Sequence, residues 1–474
     1  MIVLFIFKFS VFSFQFGQLS TINRNLSAEQ KSIIQNFFKE ETTMKKLTAL
    51  FLTLSLMLGL SGCALAEEPV RIVFWHSASE TAGVLVDKYV KDFNETVGKE
   101  KGIQVEAVYQ GAYADSVENM NRILSTQMSD TLPDVMQLDA TGKVSFSSAE
   151  TAYTVDMALK DHPEADLSSM LPPAMANWQL KGVQLGLPFA TSTTVTYYNK
   201  TKLDAAGFSA PKTLTDVGNL ASLNKDGVTV YAAVPNTPTL ANWLGQLGSD
   251  LVNNHNGTEG SATELACIEN GALAQFLTAW KALYASGALA NKNSSGDEFV
   301  AGQQLVMTDS SSKIANMLNK IDGSFELGVA PYLKVNEDSA SGATVSGSCL
   351  VMFDHGDARK EAAWAFVQYL TGAEVQADFA AGTGYLPANR EAQESEIWQA
   401  LIAEYPQYQV GLDQLLETPD TMRSVTVGPS AAFYYGIING ISDMLDNDQS
   451  VEETVDFMAN DLGGMLTQYA KANP

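Results

Sequence analysis

Few residues in this chain have types and spacings suited to covalent or metal chemistry. His76, His162, His255 and His355 are scattered, with no metal-ligand spacing among them. Cys267 and Cys349 lie far apart, and the chain holds no Cys-x-x-Cys. Outside the cytoplasm these two thiols can pair as a disulfide, or stay as two buried free thiols. There is no Gly-x-x-x-x-Gly-Lys-Ser/Thr phosphate loop, no His-Glu-x-x-His and no Gly-x-Ser-x-Gly. A secreted glycoside hydrolase needs two carboxylates roughly 5–10 Å apart across a cleft. Asp139 is one candidate, and no partner for it is legible. The sequence thus predicts no catalytic residue, no metal and no cofactor.

One thiol does have a chemical setting. From Met44 the chain reads Met-Lys-Lys, an apolar run from Leu47 to Leu60, then Leu60-Ser61-Gly62-Cys63. A cationic start, a short apolar stretch and small residues mark a secretory leader, and the run is shorter than the roughly 20 residues a bilayer span needs. The last four residues have the pattern of a bacterial lipobox, in which the Cys63 thiol takes a diacylglyceryl group. Two or more acyl chains give stable membrane attachment. The alternative is ordinary cleavage after Ala64-Leu65-Ala66. Residues 44–66 are therefore read as a lipoprotein signal and cleavage region. Residues 1–43 are read as a non-native upstream extension, because Lys39-Glu40-Glu41 can be encoded by a purine-rich ribosome-binding site just before Met44.

Removing the leader leaves about 400 residues, enough for two lobes with separate cores. Hydrophobic content of 46% and charged content of 18% describe a globular chain. The net charge of −25 repels phosphate backbones, so a nucleic-acid partner is not expected.

The elements follow from periodicity. Val70–Trp75, Ile103–Tyr109 and Pro133–Leu138 read as strands, and Glu80–Glu95 and Tyr113–Met128 as helices between them. The apolar face of the first helix comprises Val84, Val86, Tyr89, Val90 and Phe93. This alternation predicts a parallel sheet with right-handed crossovers. Beyond residue 180, Gly186–Pro188 and Thr193–Tyr198 read as strands joined through Phe189–Ser192. Ala272–Ser286 and Lys360–Thr371 read as helices, and Leu305–Thr308 and Phe325–Pro331 as strands. The expected architecture is α/β, in two interleaved lobes: residues 67–178 plus 306–355, and residues 179–305 plus 356–474.

Several segments together carry a family resemblance: Phe74-Trp75-His76-Ser77, Gln110-Gly111-Ala112-Tyr113, Leu132-Pro133-Asp134-Val135 leading into Gln137-Leu138-Asp139, Leu187-Pro188-Phe189-Ala190-Thr191-Ser192 running into Val195-Thr196-Tyr197-Tyr198-Asn199-Lys200, and Thr383-Gly384-Tyr385-Leu386-Pro387. Over residues 70–470 the chain resembles the family-1 extracellular solute-binding proteins of ABC importers, and within them the glycerol-phosphate binders. The resemblance implies a periplasmic-binding-protein-like fold, two hinged lobes closing on a small molecule that is passed to membrane permease subunits. It implies an extracytoplasmic monomer that captures a polyol phosphate such as glycerol 3-phosphate, or a neutral mono- or oligosaccharide.

The resemblance also implies ligand-binding positions. Tyr113 and Tyr385 match ligand-contacting tyrosines. Asp139 stands where the family carries a Glu that accepts bonds from ligand hydroxyls; a helix N-cap is its alternative role. Ser192 and Ser310 match ligand-binding serines, with turn and cap chemistry as their alternatives. Gly347 matches a glycine whose backbone contacts ligand. Trp75 and Trp243 offer further stacking faces, though core packing is the commoner use of tryptophan. The departure comes late. Six residues after Gly428, where the glycerol-phosphate binders place a clamping Arg, this chain has Tyr434. Arg suits bidentate phosphate binding and Tyr cannot supply its charge. Arg423, five residues before Gly428, is the nearest cation in the sequence that could swing in.

Overall fold

A computed structural model of the chain describes residues 68–419 and 422–473. Cys63 and the readings of residues 1–66 lie outside the described residues. In chain order the elements that position the site are β1 (Val70–His76), α1 (Glu80–Glu95), β2 (Ile103–Tyr109), α2 (Tyr113–Ser125), β3 (Val135–Asp139), β4 (Leu187–Asn199), β5 (Thr229–Ala232), α3 (Thr237–Gln246) and α4 (Ala272–Ala285). They continue with β6 (Gln304–Ser310), α5 (Ile314–Ile321), β7 (Leu327–Pro331), β8 (Val345–Phe353), α6 (Asp357–Thr371), α7 (Ala373–Thr383), α8 (Gln407–Glu417), α9 (Ser430–Asp446) and α10 (Val451–Ala472).

The strands run in the order β2-β1-β3-β8-β4-β6-β5, with β7 also on β4. β2, β1 and β3 are parallel, as the β-α-β spacing predicts. β8 joins β3 antiparallel. The element that ties the molecule together is β4. The sequence reading breaks it at Phe189–Ser192, yet it is one strand of 13 residues. Its first half pairs with β8, Leu187 to Thr193. Its second half lies between β6 and β7. Phe189, Ala190, Thr191 and Ser192 are all buried. A strand covered on both faces needs no polar alternation, so a segment that looks like a turn continues the ladder.

Two large cores flank this crossing. One packs β1, β2, β3 and β8 under α1, α6 and α7, through Phe74, Tyr89, Phe93, Phe366 and Phe379. The other centres on Trp243, Trp280, Tyr231 and Tyr332, with Phe433 and Ile437 of α9 and Leu462 of α10. Trp243 stacks on Phe276 and Tyr332 and donates its indole N–H to the Leu333 carbonyl at 3.1 Å. It is a core residue. Trp75 packs at the edge of a third cluster, formed by Met120, Leu138, Phe146 and Trp178. Helix α6 packs on β1 and α7 on α1, although the sequence partition groups residues 356–474 together. Leu305 and Val306 of β6 sit in the Trp243 core, near the 305/306 boundary of that partition.

Two apolar assignments differ locally. Val84 is 69% exposed; Val86, Tyr89, Val90 and Phe93, spaced i, i+3, i+4, i+7, form the buried stripe of α1 by themselves. α2 stops at Ser125, where the Ser125 and Thr126 hydroxyls both turn back to the Arg122 carbonyl. Met128 is left exposed beyond it. Cys267 and Cys349 are separate, buried free thiols, which decides between the two readings of that pair.

A buried ion pair locks α6 onto the sheet. Asp134, fully buried just before β3, receives both Arg359 Nε and Nη2, at 2.6 and 2.7 Å, and the Val73 backbone N–H at 2.7 Å. The fork geometry of Arg suits a carboxylate held this way.

Candidate ligand site

The parallel strands β1 and β3 and the strand β8 end together, and the residues beyond those ends come from remote stretches of chain. Ligands in open α/β sheets sit outside the carboxyl ends of parallel strands. Gln137, in the middle of buried β3, is the organiser. Its amide N–H2 donates to the Tyr113 hydroxyl at 3.1 Å and to Ser348 Oγ at 2.9 Å, while its Oε1 accepts from the Ser77 backbone N–H at 3.0 Å. A buried amide with several partners fixes the side chains around it.

Tyr113 begins α2, where the Asp115 carboxylate accepts from the Ala112 backbone N–H at 2.8 Å. Its hydroxyl is within hydrogen-bonding reach of Tyr385 and Ser348, and burial pushes its pKa well above the ordinary tyrosine value. Tyr385 lies flat against Phe379, with ring centroids 5.6 Å apart and 11° between planes. Its hydroxyl reaches both Tyr113 and Ser312. The Tyr385 segment is held on β4 by a hydrogen bond from the Leu386 N–H to the Thr191 carbonyl at 2.7 Å. Ser312 Oγ is 2.9 Å from Ser310 Oγ. Thus Tyr113 and Tyr385 are neighbours, and Ser310 adjoins them through Ser312.

The remaining positions divide. Asp139 ends β3 opposite Ser348 and acts electrostatically on Tyr113. Its carboxylate caps the next turn, accepting from Thr141 N at 3.2 Å and Thr141 Oγ1 at 2.6 Å. Burial raises its pKa and the Thr141 bonds oppose that. Ser310 also caps, accepting from Ser312 N at 3.3 Å. The capping alternatives are therefore present at both residues, beside the cluster. Ser192 and Gly347 lie on the β4–β8 ladder, where Ser192 faces Ser346 and Gly347 faces Thr191. Gly347 has φ +107°, and a Cβ there would overlap the Ala190 carbonyl oxygen. Tyr434 stands apart on α9. Among the described contacts it meets Asn236, whose Nδ2 is 3.4 Å from its hydroxyl, and Tyr435. None of these joins it to Tyr113 or Tyr385.

Sequence reasoning missed Gln137, Ser348 and Ser312. The one available signal was Gln137 itself, a long polar side chain within a strand of otherwise apolar residues. No group of three or more His, Cys, Asp or Glu among the described residues is arranged to hold a metal, and none of the described helices is long and apolar enough to cross a membrane.

Two large cores joined by a shared strand give the two-lobed fold of the periplasmic-binding-protein-like solute receptors. Residues 88–407 match the family described as bacterial extracellular solute-binding protein, and the chain belongs to that family. Its members bind substrates rather than transform them. Among curated relatives, the sn-glycerol-3-phosphate-binding periplasmic protein UgpB of Yersinia enterocolitica is 25% identical, over 78% of this chain and 85% of its own. Among solved structures, UgpB of Mycobacterium tuberculosis in complex with glycerophosphocholine matches with a TM-score of 0.68 at 19% identity, over 84% of this chain and 98% of that one. The sugar-binding protein MalE of Xanthomonas citri matches equally, with a TM-score of 0.68 at 20% identity over 84% and 98%. These structural likenesses describe the fold.

Proposed function

We propose that this protein is the extracytoplasmic receptor of an ABC importer, capturing a small polyol phosphate such as glycerol 3-phosphate, or a carbohydrate, and delivering it to membrane permease subunits. The observation that carries this reading is that Tyr113, Tyr385 and Ser310, separated by up to 272 positions in sequence, lie in one neighbourhood of hydroxyls beside Asp139. Aromatic faces suit the C–H surfaces of a polyol, and hydroxyls and a carboxylate suit its OH groups. In this reading Ser192, Gly347 and Tyr434 complete the wall. The two UgpB relatives support the phosphate arm, and MalE supports the carbohydrate arm.

A second reading, a neutral mono- or oligosaccharide as ligand, is favoured by Tyr434, which brings no positive charge to the place where the resemblance expects an Arg. In both readings the protein works as a monomer, held to the membrane by lipid on Cys63, with lobes of residues 67–178 plus 306–355 and 179–305 plus 356–474 moving about a hinge. The packing of α6 on β1 and of α7 on α1 favours adding residues 357–383 to the first lobe.

Differential contacts with both lobes would favour the closed form. The test is small-angle scattering at saturating glycerol 3-phosphate and, separately, maltose. A fall in radius of gyration with either supports the receptor reading; an unchanged radius despite calorimetric saturation refutes closure.

A further inference from the structure

A cavity of about 100 Å3 lies on the same β8 segment, at Val345, two residues before Gly347. Its wall includes Lys143, Asn177, Lys181, Thr418, Arg423 and Ser424. The lining comes from both sides of the β4 crossing. Lys143 follows β3 by four residues, while Arg423 and Ser424 lead towards α9.

Lys143 is the unusual member. It is 1% exposed, and among the described residues no carboxylate pairs with it. Its ammonium has one protein partner, the Asn177 carbonyl at 3.0 Å. An ammonium has three protons to donate, and leaving a buried charge without a counter-ion is costly. Next to it the amide nitrogen of Asn177 is buried with no hydrogen-bond partner, while its Oδ1 accepts from Ser424 Oγ at 2.6 Å. An unpartnered amide nitrogen and an ammonium with protons to spare thus belong to residues that line one cavity. Lys181 and Arg423 add positive charge to its rim, in a chain whose overall charge is −25. The carboxylate on the wall, Glu259, is 3.6 Å from His255 Nε2. The cavity suits one tetrahedral oxyanion with a few waters and is smaller than the roughly 300 Å3 at which whole-ligand pockets begin.

We propose that this cavity is the subsite for an anionic head group of the captured solute, a phosphate mono- or diester, with the Lys143 ammonium as its counter-ion. The proposal rests on the receptor reading and chooses between its two arms. The positive charge absent at Tyr434 is supplied from the other side of the cleft, and the polyol part extends towards Tyr113 and Tyr385. An oxyanion accepts from the remaining protons of the ammonium and from the Asn177 amide, so the Asn177 nitrogen gains a partner and the Lys143 charge a counter-ion. A neutral sugar hydroxyl can accept from them but leaves the charge uncompensated.

The test is calorimetric titration of the full chain with glycerol 3-phosphate, glycerophosphocholine, glycerol and maltose, for wild type, Lys143→Met and Lys143→Arg. The expected result is that a phosphate-bearing solute binds wild type, that Lys143→Met weakens it at least 30-fold, and that Lys143→Arg recovers most of the loss. Folding of each variant is checked by its far-ultraviolet dichroism and unfolding midpoint. Phosphate solutes binding wild type and Lys143→Met alike overturn the subsite. Binding of maltose with no response to either phosphate also overturns it and leaves the receptor standing. Silence towards all four solutes counts against the receptor reading itself, and the subsite falls with it.

Discussion

Replacing Lys143 by Met should make the unliganded protein more stable, and the size of the gain can be worked from the environment of the ammonium. Burial pushes the Lys143 pKa down from 10.5 to about 8, against a small opposing effect of Cys349. At roughly 1.4 kcal/mol per pH unit, holding the folded state in its charged form at neutral pH costs about 3 kcal/mol. Met fills a similar volume without charge. It also abandons the Asn177 carbonyl, which costs about 1 kcal/mol. The expected net gain at pH 7 is about 2 kcal/mol, read as a higher urea midpoint at unchanged slope. The pH dependence gives an independent check. Because the folded pKa lies below the unfolded one, the unfolded chain holds more protons between pH 8 and 10.5. The penalty is complete below about pH 8 and fades as pH rises towards 10.5. Roughly half of it is gone by pH 9.5, so the midpoints of wild type and Lys143→Met should converge there. Other groups titrate in this range, and the difference between the two proteins cancels them. A Lys143→Met protein less stable than wild type at pH 7, or a gap that widens with pH, would show that the ammonium already has a counter-ion and refute the reasoning.

Other perturbations have equally definite outcomes. Tyr385→Ala removes the ring stacked on Phe379 and should weaken solute binding about tenfold or more by calorimetry, whereas Tyr385→Phe loses only the reach to Tyr113 and Ser312 and should cost roughly fivefold; equal affinity in all three proteins would remove Tyr385 from the site. Gly347→Ala places a Cβ against the Ala190 carbonyl and strains φ as well, so it should abolish binding or lower the unfolding midpoint sharply. Arg359→Met leaves the buried Asp134 carboxylate without its bidentate partner and should destabilise by about 3 kcal/mol in urea at neutral pH; a change under about 0.5 kcal/mol would mean that water replaces the guanidinium. A reductant should leave the thermal midpoint unchanged, because Cys267 and Cys349 are unpaired.

The parts of the fold that sequence made legible are those with a local cause. β1, β2 and β3 declare themselves through β-branched and aromatic residues, and α1 through its i, i+3, i+4, i+7 stripe. β4 does not, because Phe189-Ala190-Thr191-Ser192 combines small and hydroxylated residues that suit turns. What makes it a strand is β8, which returns from more than 150 positions away to pair with it. The site divides in the same way. Tyr113 and Tyr385 were named through the segments that carry the family resemblance, and the structure places them side by side. Gln137, which joins Tyr113 to Ser348, lay in such a segment too but was given no role, although an amide in a buried strand calls for partners.

Lys143 was the least legible residue of all. A lysine following Ala140-Thr141-Gly142 has every local mark of a solvated turn, and its burial comes from the Asn177–Trp178 segment folding over it. The sequence resemblance directs attention to Tyr434, where it implies an Arg and this chain brings no positive charge. The packing directs it to a positive charge left over elsewhere. These are two sides of one electrostatic balance. A receptor for a phosphorylated solute must present a cation somewhere in its cleft, and a stable protein does not bury an unpaired ammonium unless something arrives to pair with it. If the solute were neutral, Lys143 would lower stability in every state of the protein, open or closed. If the solute carries phosphate, the same residue costs stability in the empty receptor and returns it as binding energy when the solute arrives.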